Sequence, residues 1–161
     1  MAEQSRSPIK LPKVSQLGYV VADIEKACQY YQSTLGIGPF CPPFEVDMSG
    51  AIFKGKPVQT SIKVAFVDWG DVQIELIQPL DGNNPYTEYL ARHGDGIHHL
   101  GFSVTDMNAA KAEFAAAGLQ PIFYHDMVVM EFAYYDTSAI GGVMSELLHY
   151  KTEIPGISSK S

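Results

Sequence analysis

Four residues of this chain carry donor atoms of the kind that hold a divalent cation, and they fall into two matched pairs: Gln16 with His99, and Glu75 with Glu146. The pairing comes from an internal duplication. Gln16-Leu17-Gly18-Tyr19-Val20-Val21-Ala22-Asp23-Ile24 aligns with His99-Leu100-Gly101-Phe102-Ser103-Val104-Thr105-Asp106-Met107, and Gly70 to Ile77 aligns with Gly141 to Leu148. One nitrogen and three oxygens converging on a cavity suit Zn²⁺ or another divalent first-row metal. Two carboxylates buried without a cation would have raised pKa values and would cost stability, a penalty that a metal removes. Taken singly, a strand glutamate is usually solvated and a lone histidine is usually a hydrogen-bonded core residue. Four such residues at repeat-equivalent positions are harder to dismiss.

The elements that must position them follow from periodicity. Val14 to Val21 has strand content, and Asp23 is placed to cap a helix whose Ile24, Ala27, Cys28, Tyr31 and Leu35 recur at helical spacing before Gly36. Strand-like stretches follow at Glu45 to Phe53, Ser61 to Asp68 and Asp71 to Gln78. Pro85 to Arg92 reads as a short helix ending at Gly94. The order then repeats: a strand from Ile97 to Val104, a helix from Asp106 to Ala117 with Met107, Ala110, Phe114 and Ala117 inward, and three strands ending at His149. The expected class is α+β: one domain over 1–161, with βαβββ modules at 14–80 and 97–150 joined by a linker at 81–96 that carries the short helix. The two modules would form a curled mixed sheet around a central metal-containing cavity.

Strand alternation decides where the four residues point. Leu100, Phe102 and Val104 share the face suited to helix packing, so His99, Gly101 and Ser103 share the other. The same logic sets Gln16 and Gly18 against Leu17, Tyr19 and Val21, Glu75 against Ile74 and Leu76, and Glu146 against Ser145 and Leu147. All four candidates leave the helix-packed face. By the same alternation, His98 should point away from His99.

Composition narrows the partners. A chain of 161 residues that is 46% hydrophobic can bury one sizeable core, and its formal charge of −7 opposes a nucleic-acid footprint. Only Lys54, Lys56 and Lys63 gather locally. No apolar run approaches the roughly 20 residues of a membrane span, and the polar start Met1-Ala2-Glu3-Gln4-Ser5-Arg6 does not read as a signal sequence, so a cytoplasmic protein is expected. Cys28 lies on an apolar helical stripe and Cys41 in a loop, without metal-type spacing. Residues up to about Lys10, and Ile154 to Ser161, read as loose ends.

The segments Gln16 to Val21, Val72 to Pro79, Gly96 to Phe102 and Gly141 to Leu148 resemble the vicinal oxygen chelate superfamily, which includes glyoxalase I, methylmalonyl-CoA epimerase, extradiol dioxygenases and bleomycin-binding proteins. The resemblance covers nearly the whole chain. It implies a divalent metal at Gln16, Glu75, His99 and Glu146, with Zn²⁺ the first expectation and Ni²⁺, Co²⁺ or Mn²⁺ compatible. It also implies a homodimer and a small carbonyl or acyl-thioester substrate.

Within the superfamily, Gln16 in place of a histidine disfavours the two-histidine iron site of an extradiol dioxygenase. The ligand set resembles a glyoxalase I, in which the residue at the Glu146 position doubles as the base that moves a proton through an enediolate. The places where that enzyme anchors glutathione here hold Val20, Pro79 and Asp95, which do not fit. Lys63-Val64-Ala65-Phe66-Val67, Ile74 to Leu80 and Gly94 to His99 resemble methylmalonyl-CoA epimerase more closely, although Gln59 stands where that family carries a glutamate base, and Gln cannot accept a proton. The common expectation is a metal-dependent isomerase, epimerase or lyase that abstracts a proton next to a polarised carbonyl, with Glu146 as base. His125, Glu131, Tyr134 or Tyr135 could assist, and the loop from Gly38 to Pro43, with Phe40 and Phe44, could wall an apolar substrate. A metal-free ligand-binding protein of the same fold is the alternative.

Overall fold

The computed structural model describes residues 7–154 and 157. Strand β1 (Gln16–Val20) leads into helix α1 (Ile24–Thr34), and then come β2 (Phe44–Asp47), β3 (Ile52–Phe53), β4 (Lys56–Pro57), β5 (Ser61–Trp69) and β6 (Val72–Pro79). Helix α2 (Pro85–His93) links these to β7 (Gly96–Ser103), α3 (Met107–Ala116), β8 (Phe123–Asp126), β9 (Met130–Tyr135) and β10 (Met144–Tyr150). The helix starts are sequence-encoded at equivalent places. Asp23 accepts from Lys26 N at 3.0 Å and Asp106 from Ala109 N at 2.9 Å, each satisfying an amide that the first helical turn leaves without a partner.

The ten strands form one curled mixed sheet in the order β2-β5-β6-β1-β7-β10-β9-β8-β3-β4. Within each half a parallel pair, β1 with β6 and β7 with β10, repeats the same arrangement, and the halves join where β1 and β7 run antiparallel. Helix α1 packs Ile24, Ala27 and Cys28 against Ile74 and Leu76, while α3 packs Met107 and Phe114 against Phe102 and Leu147. Those are the strand faces that alternation assigned to helices. The opposite face gathers Met48, Val64, Tyr86, Phe132, Tyr134 and Leu148 around a cavity.

Four details depart from the sequence reading. The stretch from Glu45 to Phe53 is two strands, because the Asp47 carboxylate accepts from Ser49 N at 2.8 Å and Gly50 takes φ +91°, turning the chain. The extra β3–β4 hairpin reaches across to pair with β8, which accounts for the longer middle of the first copy. Leu35 caps α1 rather than packing beneath it and is half exposed. The ends are anchored: Ile9 and Val14 pack on the α3 core, and Ile154 and Ile157 line the cavity. The remaining terminal residues of the expected loose ends lie outside the described residues. Among the described residues no helix is long and apolar enough to cross a membrane, and Lys54 and Lys63 are engaged by Glu88 and Glu25 rather than pooled into a basic patch.

Candidate metal centre

At the β1–β7 seam, Gln16 lies opposite Gly101 and His99 opposite Gly18. The outer neighbours complete the pattern, since Glu75 on β6 lies opposite Gly18 and Glu146 on β10 opposite Gly101. Each repeat-equivalent glycine therefore clears the space into which polar side chains of adjoining strands lean. A Cβ at Gly18 would overlap the His99 imidazole, and one at Gly101 would stand 2.8 Å from Gln16 Cβ and 2.9 Å from Leu148 Cδ1. The duplication pointed to these glycines, but their role emerges only from the register.

The four candidate residues are brought together. His99 Nε2 lies 2.9 Å from Glu146 Oε2, 3.5 Å from Glu75 Oε2 and 3.1 Å from Gln16 Oε1. The carboxamide of Gln16 donates through Nε2 to Gln73 Oε1 at 2.9 Å, which turns Oε1 toward the cluster. Four lone-pair atoms thus face one another in a site where His99 is fully buried and Glu146 nearly so. Ligands about 2.0–2.1 Å from a tetrahedral Zn²⁺ stand roughly 3.3 Å apart. The Nε2 separations, 2.9 to 3.5 Å, bracket that spacing. The donor set and its spacing fit a divalent cation.

Without a cation the same cluster is governed by a proton. Burial drives His99 toward its neutral form, but the adjoining Glu146 and Glu75 outweigh it and raise the imidazole to about 9. Burial, reinforced by repulsion from Glu146 and opposed by the bond from His99, raises Glu75 above the usual carboxylate range. Turning the Gln16 amide over would set its nitrogen 3.1 Å from Glu146 Oε2 and 3.2 Å from Glu75 Oε2, giving both carboxylates a donor. The amide facing inward by its oxygen suits a cation or the Nε2–H of a protonated His99; facing inward by its nitrogen, it would donate to the two carboxylates.

Behind His99 lies a contact that alternation does not anticipate. A bulge in the β1–β7 register turns His98 back toward its neighbour, so that the two Nδ1 atoms are 3.2 Å apart. Burial, with repulsion from His99, holds His98 well below the usual imidazole range. A neutral His98 carrying its proton on Nε2 can accept the Nδ1–H of His99, which would leave Nε2 of His99 directed at the cluster. Carboxylates, carbonyls and neutral bases in this role fix ligand orientation, and their loss typically weakens metal affinity about 10–100-fold. His98→Leu is expected to weaken zinc binding by that factor with little change in fold, and a zinc titration monitored by a chromophoric chelator reads it directly. Unchanged affinity would remove His98 from the centre.

Of the proposed helpers, only Tyr134 reaches the site. Its hydroxyl lies 3.4 Å from His99 Nδ1 and 2.8 Å from the hydroxyl of Tyr86, and burial holds both phenols far above their usual range. Tyr135 packs on Phe114 on the opposite face, Glu131 accepts from Tyr124 at 2.6 Å, and His125 stands edge-on to Phe132. Phe44 lines the cavity, whereas Phe40 is buried beneath α1 with Tyr31. Cys28 is a buried core thiol. The cavity itself, about 180 Å³, opens above Gln16, Glu75 and Glu146 and is otherwise walled almost entirely by aliphatic, Met and aromatic side chains.

A metal-fitting cluster on the seam of paired βαβββ halves defines a class. Residues 15–133 match the Glyoxalase/Bleomycin resistance protein/Dioxygenase superfamily, and the chain belongs to it. Its relatives include the mitochondrial methylmalonyl-CoA epimerase of Mus musculus, 27% identical over 139 residues that span 76% of this chain and 71% of that protein. Another is the ethylmalonyl-CoA/methylmalonyl-CoA epimerase of Cereibacter sphaeroides, 28% identical over 107 residues, 66% of this chain and 71% of the relative. In fold, the chain is similar to the crystal structure of methylmalonyl-CoA epimerase from Mycobacterium tuberculosis, with a TM-score of 0.69 over 94% of each chain at 22% identity.

Proposed function

We propose that this chain catalyses metal-dependent exchange of the proton next to a carbonyl, as an epimerase or isomerase does, with Gln16, Glu75, His99 and Glu146 holding the cation. The observation that carries the reading is the convergence of four lone-pair atoms at the floor of an apolar cavity. The epimerase relatives agree with it. When bound, a divalent cation polarises the substrate carbonyl and stabilises the negative charge that develops on its oxygen.

The chain's own residues supply the rest. Glu146 is the base: its carboxylate is buried and lines the cavity beside the cluster. Gln59 is exposed and outside the cavity lining, so the family's other base position contributes no group here. Tyr134 and Tyr86 stay protonated and serve as hydrogen-bond donors rather than bases. The apolar walls exclude water that would otherwise compete for the proton. The test is deuterium uptake at the carbon next to the carbonyl, followed by NMR in D₂O with zinc-loaded protein and a panel of carbonyl compounds and thioesters. Exchange that depends on metal and on Glu146 supports the reading, and exchange equal to the protein-free rate throughout contradicts it.

A pH dependence follows from His99. At pH 7 the metal-free imidazole, raised to about 9, holds a proton that a metal must displace. Zinc binding is therefore expected to release about one proton per metal at pH 7, with affinity rising about tenfold per pH unit from roughly 6 to 8 and levelling above about 9. Calorimetry in buffers of different ionisation enthalpy measures the release. The sign reverses for stability of the metal-free chain. The raised His99 contributes stability that is complete below its unfolded value of 6.5 and is lost as pH rises through about 9.

The alternative of a metal-free binding protein draws on one property of the site: turned over, the Gln16 amide would donate to both carboxylates without a cation. Under that reading ligand affinity is indifferent to chelators.

A further inference from the structure

We infer that the substrate of this site is uncharged at its reacting end: a carbonyl compound whose carbon next to the carbonyl bears an aryl or compact alkyl group, rather than a second carboxylate of the malonyl kind. The inference rests on the proton-exchange reading above and adds the substrate class.

Charge in the cluster is the first ground. A divalent cation held by Glu75 and Glu146 is already matched by two negative charges, with Glu146 buried and Glu75 largely so. When Glu146 takes a proton from a neutral substrate, the negative charge it loses reappears on the substrate oxygen, so the buried site stays neutral throughout. A substrate carboxylate would leave it at −1 in surroundings that solvate charge poorly.

The walls are the second ground. Among the described residues lining the cavity there is no Lys, Arg or His, and the polar side chains are Gln16, Glu75, Glu146 and the three phenols Tyr86, Tyr134 and Tyr150. Nothing else there offers a counter-charge. Val64, Phe66, Phe132 and Leu148 present apolar surface instead, and Met48, Met127 and Met130 present adaptable thioethers. Size agrees with this chemistry. An apolar cavity of about 150 Å³ holds a benzene ring, and this one measures about 180 Å³. The group could arrive as a free ketone or as the acyl part of a thioester, since both present the same neutral end.

The test compares three probes by calorimetry with zinc-loaded and metal-free protein: 2-hydroxypropiophenone, the N-acetylcysteamine thioester of 2-phenylpropanoic acid, and that of methylmalonic acid. Each is also assayed for deuterium uptake. The better neutral probe is expected to bind about 100-fold more tightly than the methylmalonyl thioester, and which of the two binds separates the ketone from the thioester source. Val46→Lys places an ammonium at the cavity rim from the edge strand β2, where the half-buried position lets the stem lie along the wall and the head reach water. It is expected to erase that preference, with thermal unfolding verifying the fold. A methylmalonyl thioester that binds as well as the neutral probes to wild type overturns the substrate class and, if it exchanges deuterium, leaves the proton-exchange reading standing. Neutral probes that bind without exchanging sink the proton-exchange reading but support the ligand class. Failure of all three to bind overturns the inference.

Discussion

Glu146→Gln is expected to lower the rate of metal-dependent proton exchange about 10³–10⁴-fold, the upper part of the range for loss of a positioned base. The substitution keeps an oxygen facing the cluster and nearly the same volume, so the protein should fold and, at saturating zinc, bind metal. What it removes is the capacity to accept a proton. Glu75→Gln is the informative partner, because Glu75 lies on the equivalent strand of the other half and faces the same imidazole at 3.5 Å. If Glu146 is the base, Glu75→Gln weakens the metal and costs much less in rate once zinc is saturating. The opposite ranking, with Glu146→Gln within tenfold of wild type and Glu75→Gln nearly inactive, would move the base to the other half of the duplication.

Gly18→Ala should be nearly as damaging to the metal centre as loss of a ligand, although it removes no donor atom. The imidazole of His99 lies where the new methyl would go, and the ring is fully buried with Tyr134 and His98 packed against it. It has little room to retreat. Overpacking of this kind costs about 1–3 kcal/mol, and displacing a ligand by that much free energy corresponds to zinc affinity lower by up to about 100-fold. Gly101→Ala meets Gln16 Cβ and Leu148 Cδ1 at 2.8 and 2.9 Å and should do less harm, since the overlap is shallower than at Gly18 and the Leu methyl can rotate away, leaving only the Gln16 Cβ to be accommodated by a small shift. Zinc titration beside thermal unfolding distinguishes the cases. Full zinc affinity in Gly18→Ala would mean that His99 is not held in the position described.

The contrast between those two glycines shows what sequence can and cannot carry. Residue type and period were enough to place Gln16, Glu75, His99 and Glu146 on one face, because a two-residue alternation leaves no choice once Leu100, Phe102 and their equivalents are committed to the helices. The aspartate cap at Asp23 was legible for an equally local reason, whereas Asp106, expected as the first residue of its helix, is the cap that precedes it. What was not legible depends on cross-strand register. The placing of Gly18 under His99 requires the β1–β7 pairing, and the turn of His98 toward His99 requires a bulge in it, which breaks the alternation used everywhere else. Ile154 and Ile157 were equally hidden, since a polar, Ser- and Gly-rich tail gives no period from which docking against a cavity could be read. Tyr86 escaped notice because α2 belongs to neither repeat, yet its hydroxyl completes the pair with Tyr134.

Elemental analysis of the protein purified without a chelator or a histidine tag, beside His99→Ala prepared identically, tests the centre most directly. The expected result is about one divalent metal per chain in wild type and almost none in the variant, with both chains folded. Wild-type protein that holds no metal, even after incubation with Zn²⁺, Ni²⁺, Co²⁺ or Mn²⁺, would contradict the metal centre and leave a ligand-binding cavity whose carboxylates are balanced by a protonated His99.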